Sequence, residues 1–467
     1  MSVKTKNNIR FEDVKHVYFL GIGGIGMSAI ARYFRLKNKQ VSGYDRAQTP
    51  LTKKLEEEGM KIHYTEDPQL IPSDIDMIVY TPAIPAEHLE WEALKATGLP
   101  IMKRAEVLGL LSRSYKTIAV AGTHGKTSTS SMTSYFLRAG GIDATAFLGG
   151  IVKDYGSNFV FGESDWVVVE ADEFDRSFMH LSPEIAVLLS MDPDHLDIYG
   201  DHEEMLRTFR DFTLQVKEGG SLLIASDLVD QIDLKWRKAL LEKNIDLYSF
   251  GVENGWFHAE KLVAKNHRFF FDFLIGEEQK LNVGLSMPGN HNVSNAAAAL
   301  GVASLVNADF DLMEKGIPSF KGILRRFDFI VQQDDLVYID DYAHHPTEIN
   351  AAISAARSLY PDRKLTVIFQ PHLFSRTRDF MEGFAEELSK VDELILMDIY
   401  PAREKPIEGI ATKKIKELIN RDDVLILNHE EVANFVDKKQ NKLELLMTLG
   451  AGDIDKVIPH IKRILTN

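Results

Sequence analysis

An α/β fold is predicted, with three units of sheet and covering helices arranged in series. Three observations lead there. Short apolar runs such as His16–Leu20 and Leu365–Phe369 alternate with stretches of helical periodicity, the pattern of a parallel sheet of the doubly wound type. Two such runs open directly into glycine-bearing turns that lead into a helix, at Gly21–Gly26 and at Gly122–Gly125. At 467 residues the chain is also too long for one compact core.

The first unit, residues 1–113, begins with the strand His16–Leu20. Gly21-Ile22-Gly23-Gly24-Ile25-Gly26 follows, then a helical run to about Leu36 and a second strand, Gln40–Tyr44, ending at Asp45. Glycines for a tight turn and close phosphate approach, with an acid some 20 residues on, match a dinucleotide-binding fingerprint and predict a Rossmann-like domain. A glycine-rich βα turn without a ligand accounts for the same letters. Met77–Tyr80 and Pro100–Met102 continue the alternation.

The second unit, residues 114–323, carries the most informative string, Val120-Ala121-Gly122-Thr123-His124-Gly125-Lys126-Thr127. It follows the apolar run Thr117–Val120 and opens a helical segment in which Met132, Tyr135, Phe136 and Ala139 share one face. A strand, a glycine turn and Lys-Thr at a helix start make a P-loop-type mononucleotide site. Backbone N–H groups and the helix dipole hold the phosphates there. Lys126 would reach the terminal phosphates of ATP and the Thr127 hydroxyl would ligate magnesium. The general pattern wants glycine where Val120 stands, so an ordinary turn with a capping Thr and a solvated Lys is the alternative; the flanking strand and helix disfavour it. Two later strands, Trp166–Val169 and Ile185–Ser190, end in Glu170-Ala171-Asp172-Glu173 and Asp192-Pro193-Asp194-His195-Leu196-Asp197. Carboxylates at strand ends suit magnesium. Residues 248–285 alternate as a β-rich insert or edge, and Asn290–Leu305 reads as an alanine-rich helix. Asn292 and Asn295 share a face of that helix; their amides can read a base edge, hold a loop or cap the helix.

The third unit, residues 324–467, is again Rossmann-like, with strands at Leu336–Ile339, Leu365–Phe369, Leu394–Met397 and Val424–Leu427. Arg325-Arg326-Phe327-Asp328 stands near the boundary, and Asp340-Asp341-Tyr342-Ala343-His344-His345-Pro346 follows a strand. The His pair beside two acids could bind a metal, although zinc sites recruit ligands from further along the chain. Gln370-Pro371-His372-Leu373-Phe374-Ser375-Arg376-Thr377-Arg378 offers arginines suited to carboxylate or phosphate. Surface arginine is the plain alternative; the shared strand-end location argues against it.

Bulk properties remove whole classes. A net charge of −15 argues against a broad nucleic-acid footprint, so anionic substrates must be held by local cations and metal. The chain has no cysteine, which excludes disulfides and thiolate chemistry and is compatible with a reducing cytosol. No apolar stretch approaches the roughly 20 residues of a membrane span, and Met1–Arg10 has no signal-peptide core. A cytoplasmic protein without membrane insertion is expected.

In their order and completeness these motifs resemble the Mur ligase family, ATP-dependent enzymes that build the peptide stem of bacterial peptidoglycan. The resemblance spans essentially the whole chain. Gly-Ile-Gly-Gly-Ile-Gly-Met-Ser and Asp-Tyr-Ala-His-His-Pro-Thr-Glu look most like the branch that joins L-alanine to UDP-N-acetylmuramate. The resemblance implies that Gly23, Gly24, Ile25, Gly26, Asp45 and Arg104 hold the UDP sugar. Gly122, Thr123, His124, Gly125, Lys126, Thr127 and Ser128 would hold ATP, with His124 also facing the sugar substrate. Thr127, Glu170 and His195 would ligate magnesium. Asn292 and Asn295 would lie near the adenine, and Arg326 and Asp341 would be nucleotide contacts of the last domain. Tyr342, His344 and Arg376 would shape the amino-acid pocket. Leu373 stands where some relatives carry a second basic residue, a departure that bears on how the amino-acid carboxylate is recognised.

The implied chemistry is phosphorylation of a carboxylate to an acyl phosphate, then attack by an amine, with Lys126, Glu170, His195, Arg326 and Asp341 as the catalytic set. Bringing anions together demands such cations. ATP contacts from the second and third units imply closure during the cycle. Three other readings compete: a recycling ligase attaching an intact peptide to the same sugar, a nicotinamide-dependent oxidoreductase built on the first glycine loop, and a non-catalytic nucleotide-binding regulator. The oxidoreductase leaves the second glycine loop and the arginine motifs unexplained, and the regulator has no need of the full set of acids.

Overall fold

Five short strands form the first sheet: β1 (His16–Leu20), β2 (Gln40–Tyr44), β3 (Lys61–His63), β4 (Met77–Tyr80) and β5 (Ile101–Lys103). The computed structural model describes residues 9–193, 199–265, 267–402 and 404–466. Strand order is β3-β2-β1-β4-β5 and each pairing is parallel. Every residue of β1 is buried, which is why Val17–Leu20 is continuously apolar rather than alternating. Chain direction across the sheet switches between β1 and β4, so the Gly21–Gly24 loop leaves β1 at the crevice where such sheets bind ligands. The helix Ile25–Leu36 covers this sheet and ends where the periodicity ends.

The second sheet has ten strands: β6 (Lys116–Ala121), β7 (Thr145–Val152), β8 (Ser157–Val160), β9 (Trp166–Glu170), β10 (Ile185–Leu188), β11 (Ser221–Ala225), β12 (Asp246–Val252), β13 (Phe257–Lys265), β14 (Arg268–Ile275) and β15 (Glu278–Leu285). Their order is β15-β14-β13-β12-β11-β10-β6-β9-β7-β8. β6 is therefore flanked by β10 and β9, both parallel to it, with Val120 opposite Glu170. That register brings the acid run level with the turn at the end of β6. The helix Lys126–Ala139 departs from the expected one-faced pattern, because Thr127–Ser134 are all buried together with Met132 and Phe136. Small hydroxyl side chains let this helix sit close on the sheet, and Ser130 and Thr133 bond back to the carbonyls of Thr127 and Thr129.

One apolar core runs through both sheets, joining Phe19 and Phe34 to Leu108, Phe147, Phe178 and Phe212. Arg32 crosses it, donating to Glu58 at 2.8 Å and to Asn158 at 2.5 Å. The first sheet, β6–β12 and this core belong to one compact unit, comprising Met1–Glu260, Phe273–Leu281 and Ser294–Ser319.

The second compact unit comprises Lys261–Asp272, Asn282–Val293 and Phe320–Asn467. Its sheet contains β16 (Asp328–Gln332), β17 (Val337–Asp341), β18 (Leu365–Phe369), β19 (Glu393–Leu396), β20 (Leu425–Ile426) and β21 (Leu445–Leu449), in the order β16-β17-β21-β18-β19-β20. Of these strands only β16, at the edge, runs antiparallel to its neighbour. Apolar clusters cover both faces, one around Phe369 and Phe384, the other around Tyr338 and Ile368. Among the described residues no helix is long and apolar enough to cross a membrane.

Candidate functional site

The first glycine loop is held by β2. Gly21 and Ile22 donate their amides to the Tyr44 carbonyl at 2.9 and 3.0 Å, and Gly23 donates to the Asp45 carboxylate at 2.7 Å. A Cβ on Gly23 would come within 2.6 Å of Thr52 and 2.8 Å of Asp45, so glycine is required there. Gly24 stands at the N-cap of the helix and Ile25 opens it, partly exposed. Gly26 lies against the Arg104 guanidinium, which donates to Asp172 at 3.0 Å.

The second glycine loop leaves β6 with left-handed backbone at Gly122 (φ 140°) and Gly125 (φ 80°). Side chains on those residues would meet the Ser190 amide and the Asn295 carboxamide, each at 2.8 Å. Ser190, two residues past β10, accepts the His124 amide at 2.9 Å and shares a bond of 2.9 Å with the Thr123 hydroxyl. His124 also faces Asp192, with Nε2 3.5 Å from the carboxylate. Thr127 and Ser128 begin the helix, both buried. Lys126 folds back over its own loop. Its ammonium donates to the carbonyls of Gly122 (2.6 Å) and Thr123 (3.2 Å) and to the Glu173 carboxylate (2.8 Å).

Burial pushes the Glu173 carboxyl up to about 7, against the pull of Lys126. Burial alone would lower the lysine, but Glu173, Asp172 and Glu170 outweigh it and hold the ammonium charged. Glu170 accepts the Gly149 amide at 2.9 Å. With Arg104, Asp172, Gly26, Phe147 and Gly149 it lines an open cleft. The cleft thus joins the first glycine loop to the acid run beside the second.

Asn292 and Asn295 do share the helix Asn290–Leu305. The Asn292 amide donates to the Pro288 carbonyl at 2.8 Å, while the Asn295 oxygen packs against Gly125. His195, with Asp194, Leu196 and Asp197, lies outside the described residues. Among the described residues no group of three or more His, Asp or Glu is arranged to hold a metal ion.

A second cluster belongs to the other compact unit. Asp341, at the end of β17, accepts the amides of Phe327 (2.6 Å) and Ala343 (2.8 Å). Burial raises its carboxyl to about 6, with Arg326 opposing. The guanidinium carbons of Arg325 and Arg326 each lie 5.2 Å from the Tyr342 ring centre. Burial holds the His344 imidazole down at about 3, with Glu348 opposing. Its Nδ1 lies 3.0 Å from the Tyr342 carbonyl and 3.2 Å from Glu348, an arrangement that puts the proton on Nδ1 and leaves Nε2 as an acceptor. Arg376 is buried 3.5 Å from His372, whose ring stacks on Tyr400. Arg326, Asp341 and Tyr342 are thus brought together, as are His344 and Arg376.

Sequence reasoning passes over Glu173 as the partner of Lys126, and gives no role to Asp172, Ser190, Gly149 or His372. The first two stand in the acid run itself, so the adjacency of β6 and β9 is the missing signal. Nothing local marks Ser190 or Gly149.

Comparison with known proteins gives the same outline. Family models match in series: the Mur ligase family catalytic domain over residues 16–116, the Mur ligase middle domain over 120–303, and the Mur ligase glutamate ligase domain over 325–455. A UDP-N-acetylmuramate–L-alanine ligase of Phocaeicola vulgatus is 44% identical over 459 residues, covering 97% of this chain and 98% of its own. One of Flavobacterium johnsoniae is 43% identical over 98% of this chain and 99% of its own. Among solved structures, a UDP-N-acetylmuramate–alanine ligase of Thermotoga maritima superposes with a TM-score of 0.79 at 25% identity, covering 97% of this chain and 98% of its own. A murein peptide ligase of Psychrobacter arcticus shares the fold, with a TM-score of 0.69 at 22% identity over 97% of this chain and 99% of its own.

Proposed function

The chain belongs to the Mur ligase family, and from that premise we propose that it joins L-alanine to the lactyl carboxylate of UDP-N-acetylmuramate, converting ATP to ADP and phosphate. The observation that carries this reading is the cleft in which Gly26 and Arg104 meet Glu170 and Asp172. It links a loop suited to a sugar diphosphate with acids standing next to a phosphate loop. A substrate carboxylate and an ATP γ-phosphate would meet there.

The assignment divides the chain into 1–113 for the UDP sugar, 114–323 for ATP and 324–467 for the amino acid, acting in the cytoplasm. Gly23–Gly26 would receive the diphosphate, with Asp45 fixing the loop. Gly122–Ser128 would receive the ATP phosphates, Lys126 countering their charge. Asn292, Asn295, Arg326 and Asp341 would complete the nucleotide site. Glu170, Asp172 and Glu173 outnumber Lys126 and Arg104, so the site needs a cation before it can take ATP. Thr127 and Glu170 offer the hard oxygen donors magnesium prefers, with His195 as the further ligand the family resemblance implies. Bound there, magnesium would screen the phosphate chain from the substrate carboxylate.

In the first step a lactyl oxygen attacks the γ-phosphorus, the bond to the β–γ bridging oxygen breaks, and ADP leaves. Lys126 and Arg104 neutralise the anions brought together. In the second step the alanine amine attacks the acyl carbon, loses a proton, and phosphate departs. Arg376 is suited to the alanine carboxylate and Tyr342 to the wall of its pocket. His344, kept neutral, offers Nε2 as a hydrogen-bond acceptor to orient the amine.

Phosphate release from ATP and magnesium, measured with UDP-N-acetylmuramate and either L-alanine or the stem tripeptide, tests this. Release that requires both the sugar and L-alanine is expected. Release with the tripeptide alone would make the protein a recycling ligase, and no release with any acceptor would end the ligase reading.

A further inference from the structure

Glu173 is not among the groups assigned above, yet it is the charged partner of the most important lysine in the chain. All three ammonium protons of Lys126 have acceptors: two carbonyls of its own loop, and Glu173 at 2.8 Å. The Glu173 side chain is only 2% exposed. Its backbone is pinned as well, the carbonyl accepting the Tyr199 hydroxyl at 2.6 Å and the Arg176 amide at 2.9 Å. Asp175 and Arg176 follow with left-handed backbone (φ 53° and 52°), a pair of adjacent non-glycine residues in that region that turns the chain sharply after Glu173.

A phosphate oxygen reaching Lys126 must displace one of these three acceptors. The two carbonyls are part of the loop that would cradle the phosphate. Glu173 is the remaining one, and its carboxylate, paired with the ammonium, would both occupy it and repel the arriving phosphate. We propose that Glu173 is a positioning residue acting through Lys126: an internal counter-anion that holds the lysine folded back over its own loop and that the nucleotide phosphate must displace. The apparent affinity for nucleotide is then set by the competition between a fixed carboxylate and a phosphate for one ammonium. The proposal rests on the reading of Gly122–Thr127 as the ATP loop.

A double-mutant cycle on the full chain, with ADP and ATP binding measured by calorimetry, tests it. Glu173→Gln keeps the shape and removes the charge; about tenfold tighter nucleotide binding is expected. KM for ATP should fall likewise without a rise in kcat, and UDP-N-acetylmuramate affinity should stay unchanged. In the Lys126→Ala background the same substitution should have no effect. If Glu173→Gln does not fold, as judged by loss of UDP-sugar binding, Glu173→Asp serves instead, because one methylene less withdraws the carboxylate from Lys126. Unchanged or weaker nucleotide binding in the folded variant overturns the proposal, as does equal tightening without Lys126. If Lys126→Ala alone leaves nucleotide binding untouched, the ATP-loop reading fails, and that result is distinct from any effect at Glu173.

Discussion

Asp45 closes the first glycine loop by accepting the Gly23 amide at 2.7 Å. The acid thus fixes the loop together with the Tyr44 carbonyl, which takes the Gly21 and Ile22 amides. A charged hydrogen bond of this kind contributes about 1.5–3 kcal/mol. Asp45→Ala should therefore weaken UDP-N-acetylmuramate binding roughly ten- to hundredfold, with Asp45→Asn losing less and KM for ATP unchanged. Isothermal titration with the sugar nucleotide checks this; equal loss of ATP affinity would show that the loop serves the other substrate.

Lys126→Ala should reduce phosphate release by at least about 10²–10³, the usual penalty for removing a group that stabilises transferring charge. UDP-sugar binding should persist, because the hydrogen bonds of the Lys126 ammonium run to its own loop and to Glu173. Loss of both together in a folded variant would argue against separate sugar and nucleotide loops.

Where burial is uniform the architecture is legible in the sequence. Strand β18 and the helix Asn290–Leu305 fall where their residues predict, since one is a continuous apolar run and the other an unbroken alanine-rich stretch. β3 escapes such a reading because Lys61–His63 is a three-residue edge strand with no buried residue. β7 escapes it because Gly149 and Gly150 interrupt the run, and Gly149 is needed where the Glu170 carboxylate approaches its backbone. At the site, the residue types are readable but the pairings are not. Lys126 and Glu173 meet only because β6 and β9 are neighbours in the sheet, a fact of topology rather than of local pattern.

His344 should steepen acid unfolding. Its pKa is about 3 in the folded chain and near 6.5 when unfolded. Between those values the unfolded state binds more protons, so this contribution is fully present above pH 6.5 and is lost as pH falls toward 3. Asp341 and Glu173, raised by burial, work in the opposite sense, so the comparison must be with His344→Asn rather than with the wild-type curve alone. Urea unfolding between pH 4 and pH 7.5 should give a shallower fall in the variant; identical slopes would mean the imidazole titrates normally.

The buried hydroxyls of Ser131 and Ser134 have no hydrogen-bond partner among the described residues. Each occupies the interior of the helix Lys126–Ala139. Replacing either by alanine removes an unsatisfied buried group and improves helix propensity, together about 1 kcal/mol of stabilisation. A higher urea midpoint at unchanged m-value is the expected result. A lower midpoint would show that the hydroxyl has a role in packing the helix on its sheet.

Leu373 adopts φ 69° and ψ 139°, a region that a leucine enters only under constraint. The constraint is visible: its amide donates to the Tyr400 carbonyl at 2.9 Å, and Glu404 accepts the amide and hydroxyl of Ser375 at 3.0 and 2.5 Å. This strained turn sets the start of the short helix that carries Arg376. Leu373→Gly should relieve about 1–3 kcal/mol of backbone strain, offset in part because the leucine side chain no longer shields apolar surface, so the melting temperature should rise or hold. KM for L-alanine and KM for ATP should both be unchanged, because the bonds to Tyr400 and Glu404 still hold the turn that carries Arg376. A lowered melting temperature would mean that the leucine side chain, and not the bonds to Tyr400 and Glu404, holds the turn.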